Sequence, residues 1–209
     1  MVVNRQGDAT RARLVKAAEK LFAEHGVEAV SVRAVNADAG LGAASVHYHF
    51  GSKDDLLAAV LVDLGGAVRD QIQAGVDALA AAPEPPNAES LVRAVTDPYL
   101  QLLTRHRTRG MRWIKIIAQI SQKGHPAMRA VDQHVSEAVM VQVRRAFPDA
   151  DPARIELRWA ISIMGFLQAL SRADEWSRNG PRLSPPELTA FYEDLVGYVS
   201  GGVANLLGR

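Results

Sequence analysis

The sequence predicts an all-α protein, with an N-terminal three-helix unit over residues 1–55 and a larger helical domain over residues 56–209. Three observations carry this. Apolar residues recur at helical spacing nearly everywhere, as in Leu14, Ala17, Ala18, Leu21 and Phe22. Helix-start and helix-stop residues punctuate that pattern at regular intervals. No pair of alternating segments reads as paired strands, and no internal repeat stands out.

Taken in order, Thr10 is placed to cap the first helix, and Gly26 stops it. Ser31 caps a second, short helix that carries Val32 and Val35 and ends at Gly40. A third spans about Ala43 to His49. Ser52, with Asp55 three residues on, opens a fourth whose apolar stripe is Leu56, Leu57, Val60, Leu61, Leu64, Val68 and Ile72. The prolines of "AAPEPPNAE", Ala81 to Glu89, break the helical pattern. Five further helices are expected near 89–105, 111–123, 126–147, 152–174 and 185–207. Asp151-Pro152 and Ser184-Pro185 each place a capping side chain before a proline suited to the first helical position. Asp97-Pro98 should kink or split the fifth helix.

Composition narrows the classes. The 209 residues are 48% hydrophobic and 22% charged, with a net charge of +1, an ordinary globular balance that by itself announces no nucleic-acid binder. The absence of cysteine excludes disulfides, thiolate catalysis and cysteine-ligated metals. The polar N-terminus lacks the apolar core of a secretory signal. The longest apolar run, Trp159 to Leu170, is too short to cross a bilayer core of ~30 Å. These observations give the expectation of a cytoplasmic protein with no membrane partner, cofactor or metal.

The most informative stretch is "AGLGAASVHYHFGSK", Ala39 to Lys53. Its glycines resemble a dinucleotide-binding loop, but the preceding "VRAVNADA" is helical and no second strand follows. His47 and His49 lie two apart on a helix, about 200° around it, and cannot share a metal on one face. Two short helices across a glycine turn, propped by a longer helix, fit a helix-turn-helix instead. Val35, Leu41, Val46 and Phe50 are spaced to pack that unit together. Ala43, Ala44, Ser45, His47 and Tyr48 are left for an outward face.

The segment Ala17 to Val60 resembles the DNA-binding part of the tetracycline-repressor (TetR) family of transcriptional regulators. The resemblance rests on "LFAEHG", "SVR", "AG" at the turn, and "YHFGSK" leading into "DDLL", in order and at matching spacings. It implies that Lys53 and His47 contact phosphate and that Arg33 reaches a base or the backbone. It also implies that Ser45, Tyr48 and His49 touch DNA or support the helix. Four positions depart from the pattern. Gly42 stands where Ser or Thr usually caps the third helix, and Ala43 where a polar or basic residue is common. Val46-His47 replaces Leu-Tyr, and Asn36 stands where Ala is usual. Ala43 and Ala44 can offer only apolar contact, for instance to a thymine methyl. Seven Lys/Arg against five Asp/Glu from Met1 to Lys53 make a weak positive bias, so phosphate contact would rest on a few placed residues.

For the rest of the chain the resemblance implies a helical ligand-binding and dimerisation domain. The candidate homodimer face comprises Ser162, Gly165, Ala169, Phe191, Leu195, Tyr198 and Gly202 on the last two helices. An intramolecular core would use the same faces. Trp113, Ile117 and Ser121, at i, i+4 and i+8, are candidates for an effector pocket together with Met164 and Gln168. Arg105, His106, Arg107, Arg109, Arg112 and Lys115 form a basic cluster that either meets an acidic ligand or is a solvated face. The expectation is a regulator, a repressor, that binds a palindromic double-stranded DNA operator as a homodimer and is released by a small-molecule effector. Two other readings stay open: a helical sensor that has lost DNA binding, and a helical enzyme, for which no catalytic motif is present.

Overall fold

Capping side chains sit where the chain turns. Ser31 accepts from Ala34 N at 3.2 Å, and Ser52 accepts from Asp55 N at 3.1 Å. Asn87 and Ser90 form a reciprocal capping box, as do Ser184 and Glu187 with Pro185 at the first helical position. The protein is represented by a computed structural model describing residues 5–121 and 125–208, with side chains for all of these but 5 and 129–133. Among the described residues the α-helices are α1 (Arg5–His25), α2 (Val32–Asp38), α3 (Ser45–Phe50), α4 (Lys53–Ala81), α5 (Ala88–Arg105), α6 (Arg107–Ser121), α7 (Ala127–Ala146), α8 (Ile155–Ser171) and α9 (Pro185–Leu207). A 3-10 turn follows at Ala173–Trp176, and the described residues contain no strand. None of these helices is long and apolar enough to cross a membrane.

Several boundaries differ from expectation for identifiable reasons. α1 begins at Arg5, so Thr10 lies inside it, donating to Gln6 O at 2.9 Å rather than capping. α3 begins at Ser45, two residues later than expected, because Gly42 to Ala44 form a turn closed by Ser45 N to Gly42 O at 3.0 Å. α5 runs unbroken through Pro98; proline removes one hydrogen bond, and buried contacts on both sides keep the helix continuous. α6 starts at Arg107 rather than 111, and the expected end at 123 lies outside the described residues. Asp151 accepts from Ala153 N at 2.9 Å and its carbonyl from Arg154 N and Ile155 N at 3.0 Å, so a turn delays α8 to Ile155.

α4 is the central element and packs against α1, α5, α6 and α7, while α9 packs on α5 and α8. Its expected stripe, from Leu56 to Ile72, is buried throughout and continues to Val76. The expected boundary at 55/56 falls in the first turn of this one continuous helix. Arg145 on α7 closes its far end, donating to the carbonyls of Leu79, Ala82, Pro83 and Glu84 at 2.6–3.1 Å. One planar guanidinium thereby satisfies carbonyls that end the helix and turn the proline-rich loop.

Between α5 and α9, Tyr192 is fully buried and donates to Asp97 Oδ1 at 2.5 Å, with Thr96 Oγ1 at 3.0 Å. Burial, then the Asp97 carboxylate, push its phenol above the ordinary value of 10.0. The folded chain therefore holds this proton to higher pH than the unfolded chain does. The resulting stability is fully present below about pH 10 and is lost as pH rises beyond it. Urea unfolding at increasing alkaline pH should show a steeper loss for the wild type than for Tyr192→Phe, and parallel curves would contradict this.

Candidate nucleic-acid interface and ligand cavity

The helix-turn-helix is held from behind by α1. Arg13 Nη2 donates to Ala39 O at 2.6 Å, Lys20 pairs with Asp38 at 2.8 Å, and the Arg11 guanidinium lies 4.8 Å from the Phe50 ring centroid. Gly40 takes φ +62, a conformation that side chains with a Cβ rarely adopt, and this lets α2 turn into α3. Val35 and Val46 are buried, with Leu41 and Phe50 packed partly against them. Residues Arg33, Ala43, Ala44, His47 and Tyr48 are exposed, Tyr48 at 85%. Ser45 and His49 are half-buried, and the His49 ring meets the Tyr48 ring edge-on at 5.0 Å. Lys53 is half-buried and donates to Glu28 O at 3.3 Å, which ties the start of α4 to the loop after α1.

Asn36, noted above only as a departure from the family pattern, has a structural role that sequence reasoning missed. Asn36 is 1% exposed; its Nδ2 donates to Ala43 O at 2.7 Å and its Oδ1 accepts from Val46 N at 3.1 Å. The available signal was a polar side chain on the apolar side of α2, beside Val32, Val35 and Ala39.

Beyond the helix-turn-helix, a cavity of about 340 Å³ opens among α4, α5, α6, α7 and α8. Trp113, Ile117, Ser121 and Met164 all line it. Gln168 does not; its Nε2 donates to Ala118 O at 2.7 Å and joins α8 to α6. The lining is mostly aliphatic and aromatic, and Trp159 and Tyr99 belong to it. Its charged members, Arg69 and Glu156, are exposed and already paired with Asp70 and Arg144. Trp113 donates to Leu61 O at 3.0 Å, and its ring lies where a Cβ on Gly65 would come within 2.7 Å. α4 thus contributes a wall that the sequence presented only as a core stripe.

Three of the six residues of the basic cluster are paired inside the molecule. Arg109 bonds Glu19 at 2.7 Å and Asp63 at 2.6 Å; Arg112 lies 3.7 Å from both Glu19 and Glu24; Arg107 pairs with Asp174. The pairs with Glu19 and Glu24 join α6 to α1, that with Asp63 joins it to α4, and that with Asp174 to the 3-10 turn, so the helix that walls the cavity also grips the first helix of the DNA-binding unit.

On α8 and α9 an apolar surface stays uncovered: Leu157, Ile161 and Tyr198 are 58%, 54% and 80% exposed. Gly165 and Gly202 have open space where a Cβ would stand. Of the other expected dimer residues, Leu195 is buried within the chain, while Phe191, Ala169 and Ser162 are half-buried. Leu157 and Ile161 were not anticipated.

Comparison with known proteins places these features. The family described as "Bacterial regulatory proteins, tetR family" matches residues 14–60, and "Tetracyclin repressor-like, C-terminal domain" matches residues 93–202. The HTH-type transcriptional repressor KstR2 of Rhodococcus jostii (strain RHA1) is 38% identical over 74 residues, 34% of this chain and 36% of that one. The match thus spans about a third of that relative's length. A TetR family transcription regulator from Marinobacter aquaeolei VT8 superposes with a TM-score of 0.60 at 15% identity, covering 93% of this chain and 97% of that chain. A TetR-family transcriptional regulator from Streptomyces coelicolor gives 0.55 at 21% identity, covering 96% of each. At these identities the structural likeness speaks for the fold.

Proposed function

Because the chain belongs to the TetR family of bacterial regulatory proteins, all-helical DNA-binding transcription regulators, we propose that it represses transcription as a homodimer on a palindromic operator. A small molecule entering the C-terminal cavity would release it. The observation that carries this reading is α3: a short helix with Val46 buried behind it and His47 and Tyr48 exposed in front, presented by a clamped turn. Such a helix enters the major groove, and two-fold symmetry of the protein is mirrored in the half-sites.

The cavity supports an effector that is apolar over its buried part, because the charged groups at its edge are already paired. Release requires only that the effector prefer the form in which the two reading helices are wrongly spaced. α6 is suited to carry that preference, since Trp113 and Ile117 face the cavity while Arg109 and Arg112 hold α1.

Selection of duplexes from a random pool at moderate salt tests the reading. Enrichment of a palindrome is expected; no enrichment by a folded, dimeric chain would favour a sensor that no longer reads DNA. On the enriched duplex, Lys53→Ala should weaken binding to all sequences alike, by about ten-fold or less, as loss of a phosphate contact does. Tyr48→Ala should also alter sequence preference. Unchanged affinity in both variants, read by fluorescence anisotropy, would contradict the assigned face.

A further inference from the structure

We propose that Asn36 is the cap of the reading helix α3, supplied from α2 because the chain leading into α3 has none of its own. It thereby sets the position of the DNA-contacting side chains. The proposal rests on the reading of α3 as the DNA-reading helix.

The N-cap position of α3 is Ala44, which makes no side-chain capping bond, and neither Gly42 nor Ala43 carries a side-chain acceptor. The first backbone N–H groups of any helix lack intrahelical partners. At α3 the lack is acute, because Val46 is 0% exposed and water cannot serve its N–H. Asn36 Oδ1 serves it at 3.1 Å from ten residues upstream. The other half of the same amide, Nδ2, donates to Ala43 O at 2.7 Å. The two bonds fix the amide's orientation, since the flipped form would set N–H against N–H and oxygen against oxygen. Donor and acceptor from one buried side chain therefore grip the turn just before α3 and the first turn within it.

The geometry also explains Gly42. A Cβ there meets nothing within 4 Å, so a serine fits without displacement. No backbone amide lies within 4 Å of that Cβ, and Ser45 N already bonds the Gly42 carbonyl at 3.0 Å, so a side chain at 42 has no capping amide within ordinary reach and the cap comes from Asn36 on the preceding helix. Alanine at 36 should be harmful whether glycine or serine stands at 42.

The test has two readouts. Hydrogen exchange at the Val46 amide, without DNA, should be slow in the wild type and in Gly42→Ser, and faster in Asn36→Ala and in the near-isosteric Asn36→Leu, which both lack the acceptor. Affinity for the duplex enriched by the wild type should fall about ten-fold per reading helix in either single variant at residue 36, as the loss of a cap implies. Gly42→Ser alone should change it little, because its side chain meets open space. Thermal melts of the C-terminal helices stay unchanged throughout. Val46 protection unchanged in Asn36→Ala overturns the proposal, as does an Asn36→Ala that loses this protection yet keeps the wild-type affinity. Failure of the wild type to enrich any duplex would instead remove the functional reading and leave the exchange readout standing. Should Asn36→Ala not fold, Asn36→Leu carries the same comparison with less loss of volume.

Discussion

Arg109→Ala is expected to lower the stability of the folded chain by roughly 2–4 kcal/mol, a large effect for an arginine that is itself 40% exposed on its side chain. The reason lies in its partner. Glu19 is 2% exposed, and its Oε2 accepts from Arg109 Nε at 2.8 Å and Nη2 at 2.7 Å. Among the described residues its Oε1 has no hydrogen-bond partner, and Arg112 lies 3.7 Å away. Removing Arg109 leaves a carboxylate nearly without water and with one distant cation. Breaking a buried pair in this way costs about 3–5 kcal/mol when nothing compensates, and Arg112 supplies part of the compensation. Hydrogen bonding to Glu19 raises the guanidinium above its ordinary value, so the cation persists wherever the protein is folded. Arg109→Lys should recover less than half of the loss, because an ammonium cannot bond Glu19 through two nitrogens and still reach Asp63. Glu19→Gln should cost less than Arg109→Ala, since it leaves no buried charge behind. Urea unfolding reads all three. An Arg109→Ala midpoint within error of wild type would mean that Glu19 is not held by this pair.

The joint between α1 and α6 shows what could be read in the sequence and what could not. The cationic residues of α6 are adjacent in the chain, so their clustering was visible. Their partners Glu19 and Asp63 lie 90 and 46 residues away, and nothing local marks them. What was legible is short-range. Ser31 and Ser52 each act on a backbone amide three residues on, Ser184 is bonded by the carboxylate of Glu187 three residues on, and the glycines at 26 and 40 act on their own φ. The helix-turn-helix is built almost wholly from such signals. Asn36 is the exception in it, because its two bonds exist only once the turn has brought Ala43 and Val46 over α2. The cavity divides the same way. Trp113, Ile117 and Ser121 share one face of one helix and could be found by spacing. The opposing wall of Gly65, Val68 and Ile72 looks like ordinary core until α6 is laid across it. Asp151-Pro152 had the composition of a helix start, but the Asp151 side chain turned to Ala153 N and the helix waited until Ile155.

Ile161→Arg should convert the protein from dimer to monomer at micromolar concentration. Ile161 is 54% exposed on α8, one turn after Leu157 and one turn before Gly165. Tyr198 on the adjoining α9 is 80% exposed, and Gly202 one turn on leaves room for close approach. Two neighbouring helices that share bare apolar groups and open glycines suit the packing of a second copy against them. In a two-fold interface each residue is present twice, so one substitution buries two like charges near a common axis. Each carries a desolvation penalty of several kcal/mol. An interface of standard size does not survive that. Val141→Arg is the control, since Val141 is equally bare at 56% but lies on α7. Light scattering after size exclusion should return twice the 22.6 kDa chain mass for the wild type and for Val141→Arg, and the single mass for Ile161→Arg. Affinity for a palindromic duplex should fall with it by about 10²–10⁴, because two linked reading helices become two independent ones. A folded Ile161→Arg that keeps the dimer mass would place the two-fold contact elsewhere on the molecule. One that turns monomeric yet binds the palindrome with undiminished affinity would show that each reading helix acts alone.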